Sequence, residues 1–397
     1  YPFPHKRQQL VRALERQLRN GSLDDMGDRG EVARALTEEL IRVTGDLHFL
    51  VGVDPDWIRD QREAERPKRA KELEREEVAR LRRGNFGFNQ VKRLEGNVGY
   101  LRFDCFADPE HGAKTAAAAL GMLENVDALI FDLRYNNGGY LEMAQFLMSY
   151  LFAPTKEERL FFDCFYRQDG KRVERGQWLL PSVPGKRLAE TPVYVVTSCT
   201  TFSAAEWFSY VLQKLGRAKI VGERTAGAAH PVERKALDDY FFLQTPIGEM
   251  RDPVDGTDFE GRGVQPDLSA IAESALAVAH KDVFELLVRG EPSRKSDYDW
   301  FAPILNARIK PLSLPRAKLI EMVGNYEGRR ISLRDGKLRY HWRERFELGL
   351  TPLSTTLFAL EGIDEFRFEA VFQHGKVTGL RRVERDGSSR VYRKENI

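Results

Sequence analysis

Ser203 stands in Thr200-Thr201-Phe202-Ser203-Ala204-Ala205-Glu206, between a strand-like run, Val193 to Thr197, and an apolar-periodic stretch that reads as a helix from Ala204. A serine at a helix N-terminus has free backbone N–H groups and the positive end of the helix dipole near its Oγ, which suits attack on a carbonyl. Ser-x-x-Glu is equally a capping box, with Ser203 as N-cap and Glu206 reaching back, so the tetrapeptide alone serves either role. It is not a GxSxG elbow.

A serine nucleophile needs a base, and usually a group that orients the base. Seven histidines are available. His5 lies near the first residue, His280 on a late helix, and His341 and His374 in a β-rich tail, leaving His48, His111 and His230 as candidates. His48 occurs in Val43-Thr44-Gly45-Asp46-Leu47-His48-Phe49-Leu50, where a helix gives way to an extended run. The stretch Ile130 to Gly139 is a strand that enters an Asn-Gly-Gly turn. Paired glycines let backbone N–H groups approach a ligand or a developing oxyanion, although a tight βα turn would also use them. Neither GxGxxG nor a P-loop is present, and the three cysteines, Cys105, Cys164 and Cys199, form no CxxC or Cys/His zinc spacing. No metal and no cofactor are expected.

These residues sit on alternating elements. Val98 to Phe103 and Ala128 to Asp132 are strand-like, with an Ala-rich helix between them. A helix from about Leu141, the strand at Val193, the helix at Ala204 and a strand from Lys219 to Gly222 follow. The rhythm implies βαβ units and a largely parallel sheet covered by helices. Residues 1–60 read as an N-terminal helical domain and 61–95 as a charged linker or helix. Residues 96–290 read as an α/β core and 295–397 as a small antiparallel β module, marked by Asp-Gly turns.

The 397 residues allow two or three domains. With 62 basic against 60 acidic side chains and 42% hydrophobic residues, the chain has the composition of an ordinary globular protein. A net charge of +2 gives no field for a polyanion, so nucleic acid is not an expected partner. No apolar run is long enough for a transmembrane segment. The sequence opens at Tyr1 rather than Met, which we read as the loss of an N-terminal segment that would have carried any signal peptide. Oligomeric state is not readable.

Taken together and in order, seven segments resemble the serine peptidases of the C-terminal processing (tail-specific) and tricorn-core family, in a branch similar to interphotoreceptor retinoid-binding protein. They are Tyr1-Pro2-Phe3-Pro4, Gly45 to His48, Gly96 to Phe103, Asp132 to Gly139, Thr201 to Glu206, Val221 to Gly227, and Glu260 to Asp267. The resemblance implies a crotonase-like (ClpP/crotonase) β/α core and a serine peptidase acting on peptide or protein substrates. It casts Ser203 as nucleophile, His48 as base and Glu260 as the group that orients it. The implied oxyanion donors are the backbone N–H groups of Ala204 and of Gly138 or Gly139. The base lysine of the processing branch would fall on Ala228, so a Ser/Lys dyad is missing, and Leu47 replaces a serine that precedes the histidine in tricorn-type enzymes. His230 competes as the base. The linker is too short for the PDZ domain of the processing peptidases. Export to the periplasm or cell exterior is also implied. The branch suggests a second function, a non-catalytic carrier of retinoid-like or fatty-acid-like apolar ligands.

Overall fold

A computed structural model describes residues 1–24, 26–155, 159–168, 171–343 and 346–395. The chain divides into two compact units, Tyr1–Leu276 and Ala277–Ile397.

The first unit begins with α1 (Pro4–Asn20) and α2 (Arg29–Thr44). Gly21 and Gly45 end these helices in the left-handed conformation that glycine tolerates best. Then come β1 (Leu50–Val53), α3 (Pro55–Glu63) and α4 (Pro67–Arg83). The charged stretch proposed as linker or helix is therefore largely helical, and α4 buries none of its side chains. Its mixed charges pair along its own surface, as Arg80 does with Glu77.

Strands β2 (Phe88–Leu94) and β3 (Val98–Phe103), α5 (Pro109–Gly121), β4 (Ala128–Asp132) and α6 (Leu141–Ser149) open the core. A hairpin, β5 (Leu160–Gln168) and β6 (Lys171–Trp178), precedes β7 (Val193–Thr197), α7 (Ala204–Lys214) and β8 (Ala218–Gly222). After them run β9 (Val232–Ala236), β10 (Phe241–Pro246), β11 (Gly248–Arg251), β12 (Leu268–Ser269) and α8 (Ala272–Gly290). The main sheet has the order β12-β8-β7-β4-β3-β2, parallel throughout except for the β2–β3 pair. Every residue of β4 and β7 is buried, as expected of central strands covered on both faces. Phe103, Phe106, Phe131, Phe208 and Trp207 anchor the core beneath them.

A three-stranded sheet, β1-β10-β9, ties the N-terminal helices to this core, with Leu50 opposite Gln244. His48 and Ser203 thus belong to one compact unit.

In the second unit, α9 (Lys295–Ile309) and α10 (Arg316–Met322) precede a meander of eight antiparallel strands, from β13 (Gly324–Asn325) to β20 (Ser389–Arg393). The two helices were not expected; Pro303 inside α9 obscures its period. An antiparallel bridge between Tyr326 and Lys394, and the Glu395 N–H bond to the Asn325 carbonyl (2.9 Å), bring the first and last strands together. Among the described residues, no helix is long and apolar enough to cross a membrane.

Candidate active site

The loops after β4 and β7, two neighbouring parallel strands, meet at Ser203. They are stitched by short bonds: Thr201 Oγ1 donates to the Leu133 carbonyl (2.8 Å), Thr200 Oγ1 to that of Arg134 (3.0 Å), and Phe202 N–H to that of Asn136 (3.1 Å). The β4 loop is braced from below. Asp132 accepts two bonds from the Arg134 guanidinium (2.7 and 2.8 Å) and one from Tyr100 Oη (2.7 Å), and all three side chains are buried. A bidentate pair of this kind fixes direction as well as charge.

Ser203 is held at φ +55°, ψ −123°, a region that L residues rarely occupy. Such a conformation costs about 1–3 kcal/mol and persists only where its surroundings enforce it. Glu206 is the enforcer. Fully buried, it accepts from Ser203 N–H (2.9 Å) and Ala228 N–H (3.0 Å) on one oxygen. Its other oxygen accepts from Thr225 Oγ1 (2.6 Å) and Gly227 N–H (2.6 Å). Burial raises its pKa, and these four bonds oppose the rise. Ser203 does cap α7, but its cap residue also ties the serine to the loop that follows β8.

Gly138 adopts φ +89°, and a Cβ there would lie 2.7 Å from Ser203 Cβ and 2.9 Å from Ala204 N. At Gly139, φ +131°, a Cβ would meet the Phe106 carbonyl oxygen at 2.2 Å. Both positions require glycine. The Gly138 N–H is engaged by Asn136 Oδ1 (2.9 Å). Of the expected oxyanion donors, that leaves the Gly139 and Ala204 N–H groups, which show no partner among the described residues.

His48 follows the glycine stop of α2. Its N–H donates to Asp46 Oδ1 (3.1 Å), and its carbonyl accepts from Gln244 Nε2 (3.0 Å), fixing the turn on both sides. The imidazole is 2% exposed, and neither ring nitrogen has a partner among the described residues. Its ring meets that of Phe202, the neighbour of Ser203, edge-on at 4.8 Å between centroids. Burial, with lesser influence from Asp46 and His230, brings its pKa down to about 4.

The structure makes no hydrogen bond from His48 to Ser203 or to Glu260. Glu260 Oε2 is instead taken by the Ala229 N–H (2.7 Å) and lies 3.6 Å from His230 Nδ1. Its Oε1 is buried without a partner among the described residues, and burial raises its pKa to about 7 against the pull of His230. His230, also buried, bonds Asp46 Oδ2 through Nδ1 at 2.7 Å; that bond and the Glu260 charge outweigh burial and raise its pKa. The Phe3 ring covers it at 5.2 Å. Asp46 had no assigned role in the sequence, although its place two residues before His48 was a usable signal. His111 lies apart from this cluster, 3.8 Å from Glu74.

The model of the family described as Peptidase family S41 matches residues 97–270. This span includes Ser203, His230 and Glu260 but not Asp46 and His48. The chain is similar to carboxy-terminal processing protease CtpB of Bacillus subtilis (strain 168), 25% identical over 185 residues, 46% of this chain and 36% of that protein. It is also similar to the carboxyl-terminal-processing protease of Picosynechococcus sp. (strain ATCC 27264 / PCC 7002 / PR-6), 28% identical over 176 residues, 43% and 38% of the two chains. The chain thus spans little more than a third of the length of these curated relatives. Among solved structures, it resembles a lipoprotein from Streptococcus agalactiae (TM-score 0.44, 17% identity, 70% of this chain and 96% of that one). It also resembles a photosystem II D1 C-terminal processing protease (TM-score 0.38, 21% identity, 47% and 48%). Residues 97–270 are a domain of peptidase family S41.

Proposed function

We propose that this chain is a serine peptidase that hydrolyses peptide bonds of peptide or protein substrates through an acyl-enzyme. Ser203 is the nucleophile, His48 the general base, and Glu260 the carboxylate that supports the base. The observation that carries the reading is the strained Ser203 at the head of α7, beside two free N–H groups, with its neighbour Phe202 packed against a buried histidine whose two ring nitrogens have no partner among the described residues.

In this mechanism His48, neutral at physiological pH because burial disfavours its cation, closes on Ser203 as substrate binds; catalytic hydrogen bonds are often long in the free enzyme. It accepts the hydroxyl proton while Oγ bonds to the peptide carbonyl carbon. The oxyanion is met by the N–H groups of Ala204 and Gly139. His48 then passes the proton to the leaving amine as the C–N bond breaks. Water, deprotonated by the same imidazole, cleaves the Ser203 ester and releases the carboxylate product. The transient imidazolium is stabilised by the charges of Asp46 and Glu260, whose carboxylate oxygens lie within 4.8 Å of a His48 nitrogen and of each other. The core is read as crotonase-like, and the family likeness suggests export.

A second assignment of the base has its own support. The 2.7 Å bond from His230 Nδ1 to Asp46 has the form of a base held by a carboxylate. His48 is preferred because its ring abuts Phe202 and because its neutral form is the stable one, whereas His230 is biased toward its cation.

Hydrolysis of an unstructured protein such as casein tests both. Ser203→Ala should lower kcat by at least about 10³-fold, and His48→Ala by a similar factor. Unchanged turnover by Ser203→Ala refutes Ser203 as the nucleophile, and a wild type that leaves casein intact favours an apolar-ligand carrier. Loss in His230→Ala with turnover kept in His48→Ala moves the base to His230.

A further inference from the structure

The cluster around His48 is over-supplied with donors for a triad. Asp46, His48 and Glu260 each present a ligand atom, and these atoms all lie within 4.8 Å of one another. Both ring nitrogens of His48, 2% exposed, and Glu260 Oε1 are buried with no partner among the described residues. A buried polar atom without a partner costs about 1–3 kcal/mol, so a ligand that satisfies several at once is favoured here. His230 Nδ1 sits in the same cluster, 2.7 Å from Asp46 Oδ2 and 3.6 Å from Glu260 Oε2.

We propose that Asp46, His48 and Glu260, with His230 as fourth donor, form a zinc-binding site that, when filled, occupies the lone pair of His48 and stops hydrolysis. The binding half stands on geometry alone, and the inhibitory half rests on the peptidase reading above. Two imidazoles and two carboxylates make a four-donor set that suits zinc, whereas calcium and magnesium favour more numerous oxygen ligands. Tetrahedral bonds of about 2.0–2.2 Å put donors roughly 3.3 Å apart, so the Asp46, His48 and Glu260 atoms, now within 4.8 Å of one another, close by up to about 1.5 Å. Side-chain rotation of Glu260, which has one oxygen unbound, is the simplest route. His230 Nδ1, now bonded to Asp46, releases its proton to solvent as it turns to the metal. The four ligands come from three segments of the chain, Asp46 and His48 after α2, His230 after β8 and Glu260 after β11, so beyond the Asp46–His48 pair no short spacing announces them.

The test uses the full chain and zinc chloride in competition with a chromophoric chelator. One zinc per chain is expected, retained in Ser203→Ala and weakened at least 10-fold in both His48→Gln and Glu260→Gln, with circular dichroism unchanged. Cobalt(II) in place of zinc should give the visible absorption of a four-coordinate site, lost in the same variants. Binding that both variants leave intact would place the zinc on surface histidines and overturn the proposal, as would less than one zinc per chain. In wild type, zinc should suppress casein hydrolysis and EDTA should restore it. Zinc bound through His48 in a chain that never hydrolyses casein upholds the metal site and refutes the peptidase reading. Casein hydrolysis with no zinc bound does the reverse.

Discussion

Glu260→Gln is expected to make the protein more stable at alkaline pH while impairing the site. Burial raises the Glu260 carboxyl from an ordinary value of 4.5 to about 7, so the folded chain holds a proton that the unfolded chain releases. For a group raised in the folded state, stability is fully present below the unfolded value and is lost as pH climbs through the folded one. The window here runs from about 4.5 to about 7. Each tenfold change in proton affinity corresponds to about 1.4 kcal/mol, so ionising Glu260 in place costs roughly 3 kcal/mol. Glutamine carries no charge and can keep the bond from the Ala229 N–H. Urea unfolding of the two proteins at pH 5, 6, 7 and 8, followed by tryptophan emission, reads the difference. The advantage of Glu260→Gln should grow by about 2–3 kcal/mol from pH 5 to pH 8. A difference that stays flat across that range, or that shrinks, refutes the assignment of a buried, reluctantly ionised carboxyl.

Catalysis should show the same group. With His48 neutral down to about pH 4 and Glu260 ionising near 7, kcat/KM should rise from pH 5 to pH 8, and Glu260→Gln should flatten the rise and lower the plateau; a limb unchanged in that variant contradicts it. Gly138→Ala drives a methyl against Ser203 Cβ and the Ala204 N–H, so kcat/KM should fall about 100-fold or more, and wild-type turnover would deny that this turn shapes the oxyanion site. Glu206→Ala strands Thr225 Oγ1 and three backbone N–H groups, and should destabilise the fold by about 3 kcal/mol or more by urea midpoint; a loss below about 1 kcal/mol would mean that Glu206 is only a helix cap.

Much of the core was legible because its elements have clean periods. The strands at Ala128 and Val193 are continuous apolar runs bounded by turns, and the helix at Ala204 carries its own cap. The β5–β6 hairpin and β9 were not read, since β9, Val-Glu-Arg-Lys-Ala, is almost wholly exposed and has no apolar alternation to detect. Of the site, the sequence supplied residue types and order but not pairing. His230 and Asp46 are 184 positions apart, and their bond depends on β1 joining β10, a long-range pairing that no local pattern encodes. Burial was hidden for the same reason. Residue type alone would put the neutral titration on a histidine, whereas desolvation moves His48 to about 4 and brings Glu260 into the neutral range.

The central claim is that Ser203 is an activated nucleophile, and a fluorophosphonate probe followed by peptide mapping reads it directly. The account predicts a single phosphonylated site on the tryptic peptide that contains Ser203, with no adduct in Ser203→Ala and slow labelling in His48→Ala. An adduct on another residue, or equal labelling of wild type and Ser203→Ala, would contradict it.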